Sequence, residues 1–320
     1  MRAKIMLLPG SEPGERLCGY AERLLTEISA AFNHTFSLMR EKIGDKSLSA
    51  YQEPLTDETV AACEKCQAVF LCDTECPGAL ELYDALELPL RIRSFCVPDA
   101  LCGRHEAPVS LWVGQLLSVD PETLRQGMRA AFRFAQEEDA RVTLVPPSGA
   151  SKTEWDAAAR VQAVGFPQVS SAVMPAPEAV TALIAAPSRL GLLLCPPYAG
   201  GILHAAATAL CAQPAVMHDI AFHDGIGVYA PFIPQDLTVD EELNPIATAF
   251  SVAKLLRYSL DLSREAGCVE AAVSNVLAAG WRTPDAARPG APHVGSQAII
   301  ELICEQIAVA GELMGKGGLV

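Results

Sequence analysis

The chain has 320 residues, of which half are hydrophobic, and is therefore long enough for two domains with a substantial core. Its net charge of −14, without a Lys/Arg-rich patch, argues against a nucleic-acid partner, because such partners are bound through their phosphates. No apolar stretch reaches the ~18 residues that indicate a membrane span, and the apolar run at the N-terminus is too short for a signal peptide, so we expect a cytoplasmic protein with no membrane contact.

The first third of the chain alternates predicted strands with predicted helices. Residues 3–8 and 35–39 are short apolar runs typical of strands. Between them, a stripe at helical spacing predicts a helix; its members are Leu17, Tyr20, Ala21, Leu24, Leu25, Ile28 and Phe32. Further predicted elements are helices over Val60–Cys66 and Gly78–Leu86 and a strand over Ala68–Leu71. This order predicts an α/β fold with right-handed crossovers.

From about Pro98 the pattern changes. The predicted strands in this region are Val109–Val113, Arg141–Val145 and Leu190–Leu194. The predicted helices run from Asp120 to near Glu138, over residues 151–163 and over Gly201–Leu210. Residues 165–188 are rich in Pro and Ala and carry few periodic signals.

The best-defined helix follows Asn244. Asn244 is a good N-cap, because its side-chain oxygen can accept a backbone N–H that lacks a helical partner. Pro245 suits the first helical position, where a missing N–H costs nothing. The buried face is predicted to hold Ile246, Ala249, Phe250, Ala253 and Leu256. Helices at about Ser263–Ala278 and Val294–Leu313 then close the chain.

Several stretches carry a family resemblance. Asn-Pro-Ile-Ala-Thr at 244–248, followed by an apolar run and Leu-Arg-Tyr-Ser at 256–259, resembles the isocitrate/isopropylmalate dehydrogenase family. Other stretches similar to that family are Lys4–Gly10, Ile43-Gly44, Pro54–Thr59, Leu82-Tyr83, Arg141–Val145 and Gly280–Asp285. The resemblance covers nearly the whole chain in element order and is strong at the two ends.

The resemblance implies an isopropylmalate dehydrogenase-like two-domain α/β fold, with parallel and mixed sheets flanked by helices. Residues 1–97 and 240–320 are expected to form a large discontinuous domain, and residues 98–239 a smaller α/β dimerisation domain. Members of the family form dimers through helices of the middle domain. The Ala-rich helix Gly201–Leu210 suits such a contact, so we expect a homodimer.

The resemblance supports the family reaction much less well than it supports the fold. This reaction oxidises a 2-hydroxy acid with NAD(P) and Mg²⁺ or Mn²⁺, using aspartates for the metal, arginines for carboxylates, and Lys and Tyr for protons. The stretch similar to the family's Gly-Asp-Ile-Leu-Ser-Asp has Gly201 and Ala205 at the aspartate positions. The strand that precedes the family lysine ends here in Pro146-Pro147. We therefore assign no metal ligand and no cofactor, although the resemblance alone would imply both.

Several residues remain as candidates for a site. Arg91 and Arg93 are two apart on a probable strand and so share one face, where they could form an anion clamp for a small carboxylate, with Arg104 nearby; a solvated edge is the alternative. The resemblance puts Asn244 beside the adenine of a dinucleotide, although its N-cap role explains it equally well. Candidates for altered chemistry in the cleft are Cys72, Ser148, His204 and Asp219. His204 is otherwise interpreted as a polar residue at a cleft or helix surface.

Eleven cysteines are present, an odd number, and without a secretory signal we interpret them as reduced thiols. Cys63, Cys66, Cys72 and Cys76 lie close enough in sequence to suggest a metal site. The strand between Cys66 and Cys72 would however hold them roughly 20 Å apart.

Three hypotheses for function follow. The first is a non-catalytic relative, or pseudoenzyme, that acts as a binding or partner subunit. The second is an enzyme with changed chemistry in the same interdomain cleft. The third is a still-active NAD(P)-dependent oxidoreductase on a carboxylate substrate, whose middle region aligns differently.

Overall fold

The computed structural model describes residues 1–101, 110–147, 151–211, 216–223, 225–233, 243–287 and 292–317. The chain divides into two compact units, Met1–Leu86 with Asp224–Val320, and Glu87–His223. Both combine a sheet with helices, so the predicted α/β class is confirmed. The boundaries predicted at 97/98 and 239/240 stay a prediction, and each unit is described by itself.

The first unit is built on four strands in the order β2-β1-β3-β10. Their bounds are β1 (Arg2–Leu8), β2 (Thr35–Arg40), β3 (Ala68–Leu71) and β10 (Ile226–Pro231). The three pairings are all parallel. Every residue of β3 is buried, as expected for a parallel sheet that is covered on both faces.

Seven helices of the described residues belong to this unit. They are α1 (Glu12–Ala31), α2 (Asp45–Tyr51), α3 (Asp57–Cys63), α4 (Ala79–Ala85), α9 (Pro245–Leu260), α10 (Ser263–Ala278) and α11 (Ser296–Gly317). Helix α3 begins three residues before its predicted start, because the Thr56 hydroxyl accepts the backbone N–H of Thr59 and caps the helix there.

Helix α9 confirms the local prediction and extends it. The Asn244 side-chain oxygen accepts the N–H of Ile246 at 2.9 Å, and Pro245 is the first helical residue. The helix is buried around most of its circumference rather than along one stripe, because β10, α1 and α10 all pack against it. Its one buried cation, Lys254, lies 3.3 Å from Glu270 of α10, and Arg257 pairs with the same carboxylate.

The second unit has a mixed sheet in the order β9-β4-β5-β8-β6-β7. Its strands are β4 (Leu90–Ser94), β5 (Leu111–Leu116), β6 (Val142–Leu144), β7 (Ser171–Val173), β8 (Gly191–Cys195) and β9 (His218–His223). Strand β4 runs antiparallel to both neighbours, whereas the pairings from β5 to β7 are parallel. The helices are α5 (Pro121–Glu137), α6 (Ser151–Gly165), α7 (Ala176–Ala185) and α8 (Pro197–Cys211).

Strand β7 and helix α7 fill the region in which the sequence gave few periodic signals. Both are short, and α7 is so rich in Ala that its buried side is marked only by Ala179 and Leu183. No helix among the described residues combines the length and apolarity needed to cross a bilayer.

Two glycines of α1 differ sharply in their surroundings. A methyl group on Gly14 would overlap the carbonyl oxygen of Pro9 and approach the Cβ of Cys72 to 3.3 Å. A methyl group on Gly19, one and a half turns further along, would meet nothing within 4 Å. Gly14 is thus what allows the start of α1 to lie directly on the loop after β1.

Substituting these two glycines should have different effects on stability. Gly14→Ala should lower the free energy of unfolding of the first unit by about 1–3 kcal/mol, because the added methyl forces α1 away from Pro9. Gly19→Ala, the matched control, should be neutral or raise it by up to ~1 kcal/mol, because alanine is the better helix former. Urea unfolding followed by circular dichroism measures both, and equal effects would contradict this view of α1.

Candidate functional site

A buried ion pair joins β4 and β9 in the second unit. The register of β4 against β9 sets Arg93 opposite Asp219. The Arg93 guanidinium donates from Nε to Oδ1 at 2.6 Å and from Nη2 to Oδ2 at 2.7 Å. Only 7% and 1% of these side chains are exposed. Burial raises the pKa of Asp219, but the adjacent guanidinium outweighs it and the pKa falls to about 2.

Arg91 lies two residues before Arg93, on the same face of β4, as the sequence predicted. It pairs in register with Gln115 of β5, whose side chain donates to the carbonyl of Pro197 at 3.0 Å. Arg91 is half-buried, and its Nε is a buried donor that has no partner among the described residues. A charged donor in that position normally has an acceptor.

His204 of α8 completes this group, which we call the arginine cluster: Arg91, Arg93, Asp219 and His204. Its Nε2 lies 2.9 Å from the carbonyl oxygen of Val113, so this nitrogen carries the proton. Burial, and after it the positive charge of Arg93, lower the pKa of His204 to about 4. Only 5% of His204 is exposed, so it does not lie at the exposed surface of its helix, and its place at a cleft stays a prediction.

The charges of the arginine cluster do not balance. Two guanidinium groups face one carboxylate, and the imidazole is neutral at pH 7 because its pKa is about 4. The cluster therefore carries one excess positive charge, although the whole chain has a net charge of −14. An anion that reached Arg91 would neutralise this excess.

The other predicted site residues lie elsewhere or are not described. Cys72 follows β3 in the first unit, where its sulfur lies 3.0 Å from that of Cys18. Asn244 also belongs to the first unit. Ser148 and Arg104 lie outside the described residues, and their predicted roles stay predictions.

The side chain of Asn244 is committed to protein contacts. Its amide nitrogen donates to the hydroxyl of Thr283 at 2.6 Å and to the carboxylate of Asp285 at 3.2 and 3.3 Å. Its oxygen accepts from Ile246. Both amide hydrogens therefore have protein acceptors, and the amide has no hydrogen left to donate to a dinucleotide.

The residues present do not fit a hard divalent cation. Gly201 and Ala205 are exposed on α8 and have no oxygen in their side chains. Asp219 has both oxygens bound to Arg93, and His204 faces a carbonyl. In the described part of the chain no three His, Cys, Asp or Glu side chains converge, and this includes Cys63, Cys66, Cys72 and Cys76.

Two α/β units, with a discontinuous first unit and a mixed sheet in the second, define a known class of dehydrogenase fold. Residues 114–303 match the family described as isocitrate/isopropylmalate dehydrogenase. The chain belongs to this family, and the predicted family resemblance is confirmed.

Individual relatives agree with this assignment. The chain is 26% identical to 3-isopropylmalate dehydrogenase of Halalkalibacterium halodurans, over 98% of this chain and all of that protein. It is 27% identical to the enzyme of the same name from Oleidesulfovibrio alaskensis, over 96% of this chain and 100% of that one.

Solved structures agree on the fold. Isocitrate dehydrogenase from Methylococcus capsulatus superposes with a TM-score of 0.81 at 18% identity, covering 96% of this chain and 99% of that one. A beta-decarboxylating dehydrogenase from Thermococcus kodakarensis does so with a TM-score of 0.78 at 19% identity, covering 99% of each. The expected isopropylmalate dehydrogenase-like fold is thereby confirmed.

The depressed pKa of His204 predicts acid sensitivity. The unfolded chain takes up a proton on this residue near pH 6.5 and the folded chain only near pH 4. Its contribution to stability is therefore complete above pH 6.5 and is lost as the pH falls toward 4. His204→Gln, which keeps an N–H for Val113, should remove roughly 3 kcal/mol of this decline.

The measurement is the free energy of unfolding from urea titrations between pH 7 and pH 4. His223→Gln is the matched control, because His223 is a half-buried histidine on β9 of the same unit. The slope should be smaller in His204→Gln than in the wild type and in the control. An unchanged slope in His204→Gln would show that His204 titrates normally.

Proposed function

We propose that this chain is a divergent member of its family that has lost metal-dependent oxidation of 2-hydroxy acids and binds a small carboxylate at Arg91. The observation that carries the proposal is the excess positive charge of the arginine cluster. A buried donor on Arg91 lacks an acceptor among the described residues, while Arg93 is neutralised by Asp219. A carboxylate is a small planar anion, and a guanidinium can bind it through two parallel hydrogen bonds.

The surroundings of Arg91 support a small ligand rather than a macromolecule. Arg91 is half-buried near the start of β4, where it pairs in register with Gln115 of β5. Helix α8 packs against β5. Gly200 allows this approach, since a methyl group there would lie 2.6 Å from the Cγ of Gln115. Space at Arg91 is therefore limited by α8, and one carboxylate of a small acid suits it better than a polymer.

The loss of the family reaction rests on electrostatics. Oxidation of a hydroxy acid through a divalent cation needs oxygen ligands for the metal, and an unpaired ion in a buried site costs several kcal/mol. Glycine and alanine stand at two aspartate positions of α8. The chain after β6 continues with Pro146-Pro147, so Lys152, on α6, is displaced from the family position. Several groups that act together are changed together, and such losses abolish activity as a unit.

Binding and turnover can be tested together. We expect isothermal titration calorimetry to detect binding of at least one acid from a panel that includes isopropylmalate, isocitrate, malate and succinate, without added metal. Arg91→Gln should weaken it by roughly 10- to 100-fold, since a charge-assisted hydrogen bond contributes about 1.5–3 kcal/mol. Arg189→Gln, an exposed arginine of the same unit, makes the same charge change and should leave the affinity within about twofold.

The same preparations are assayed for nicotinamide reduction with millimolar Mg²⁺ or Mn²⁺. We expect no turnover with NAD or NADP on any acid of the panel. Turnover near ordinary enzyme rates, ~1–10³ per second, that disappears on changing one residue of the arginine cluster would refute the loss of the reaction. Equal affinities in Arg91→Gln and Arg189→Gln would refute the binding site.

We also propose that two copies of the chain associate through α8. One side of this helix exposes apolar residues at helical spacing: Tyr198 is 84% and Ile202 47% exposed, and Ala205 and Ala209 continue the same face and are also exposed. Exposed apolar side chains that form a continuous face are typical of an interface. The dimers that the family resemblance implies use helices of the same region.

Light scattering at micromolar concentration should give twice the 33.9 kDa of one chain. Ile202→Glu should give the mass of a monomer, because a carboxylate at the interface would be buried without a partner. Val161→Glu, on the exposed side of α6 in the same unit, is the control and should remain dimeric. A wild-type mass equal to that of one chain would contradict the proposed dimer.

A further inference from the structure

Cys18 and Cys72 form a contact outside the arginine cluster, which the proposed function does not use. Cys18 lies on the second turn of α1, and Cys72 directly follows β3. Their sulfur atoms are 3.0 Å apart, and neither residue has any exposed surface. Nonbonded heavy atoms are usually about 3.5–4.0 Å apart, whereas a disulfide bond is about 2.05 Å long. The two sulfurs need to approach by only about 1 Å to bond.

The backbone holds this pair from both sides. The N–H of Cys72 donates to the carbonyl of Leu8 at 2.8 Å, which fixes the start of the loop after β3 to β1. Gly14 of α1 packs on Pro9 in the loop after β1, and a methyl group on Gly14 would also lie 3.3 Å from the Cβ of Cys72. The two sulfurs are therefore held close together by the backbone segments that carry them.

Other buried thiols are placed differently. Cys195 is equally buried, but its thiol donates to the carbonyl oxygen of Gly114 at 3.2 Å. The thiol of Cys66 donates to the carbonyl of Ala62 at 3.4 Å. The contact of Cys18 with Cys72 is thus not a general result of a cysteine-rich core.

We propose that Cys18 and Cys72 are a redox pair that a peroxide converts into an intrachain disulfide, which ties α1 to the loop after β3. One cysteine thiolate attacks a peroxide oxygen and becomes a sulfenic acid, with release of hydroxide. The sulfur of the second cysteine attacks the sulfenic sulfur, the S–S bond forms, and water leaves. The two thiols lose two electrons, hydrogen peroxide gains two, and two waters result.

The pair is expected to react slowly and to gain stability when oxidised. Burial, and after it the contact with Cys18, raise the pKa of Cys72, so little of its thiolate is present at neutral pH. The rate should therefore rise with pH. Neither cysteine has exposed surface, so hydrogen peroxide has to penetrate the packed fold to reach them, which also slows the reaction. A link across the chain between residues 18 and 72 restricts the unfolded state and favours the folded one.

The test uses the full chain, first reduced and then exposed to hydrogen peroxide at pH 8 for up to several hours. Remaining thiols are blocked with N-ethylmaleimide in denaturant, and peptides are mapped by mass spectrometry. We expect the number of blocked thiols to fall by two, and fragmentation to show a link from Cys18 to Cys72 rather than to Cys66 or Cys76. The melting temperature should rise by several degrees and return after dithiothreitol.

Three variants keep the outcome unambiguous. Cys18→Ala and Cys72→Ala should each abolish the link, and Cys195→Ala, a buried thiol without a sulfur neighbour within the described residues, should retain it. Circular dichroism checks that each variant is folded. A folded wild type that forms no link after hours in peroxide, or that links either cysteine elsewhere, would overturn the proposal.

Discussion

The second unit depends on the ion pair between Arg93 and Asp219. Two charges taken out of water are tolerated only when each meets the other with good geometry, and removing one partner typically costs about 3–5 kcal/mol. The pair therefore specifies the register of β4 against β9: a slip of one residue would turn Arg93 to the opposite face and leave both charges unpaired. Few apolar contacts discriminate register so strongly.

The same pair determines the chemistry that its neighbours can perform. Its guanidinium lowers the pKa of His204 and so helps to keep the imidazole neutral, which leaves this residue as a hydrogen-bond donor to Val113. It also occupies both oxygens of Asp219, so these oxygens are not available to a cation. Arg91 is then the one member of the arginine cluster whose charge is not met within it. The net positive charge of the arginine cluster thus favours an anion. A site built from metal-binding carboxylates has the opposite, negative charge.

Local rules predicted those parts of the fold whose signals lie close together in sequence. The bounds of β3 and α10 and the start of α9 agree with the predictions, because an apolar period marks the first two and the Asn244 cap marks the third. The shared face of Arg91 and Arg93 followed from strand geometry alone. The partner of Arg93 could not be found in this way, since Asp219 is 126 residues away and only the completed sheet brings them together. Nor could Gln115, which looks like an ordinary strand residue.

Asn244 illustrates why a stretch of sequence can resemble a family even where the chain does not perform the reaction of that family. The residue caps α9, and its amide also binds Thr283 and Asp285 in the segment between α10 and α11. Loss of a cap typically costs about 1 kcal/mol, and a buried hydroxyl left without its partner adds a further 1–3 kcal/mol. These contacts alone explain an asparagine before Pro245 in this fold. The resemblance at Asn244–Thr248 therefore reports on the architecture of the first unit, and the function has to be argued from the arginine cluster, where the charges are.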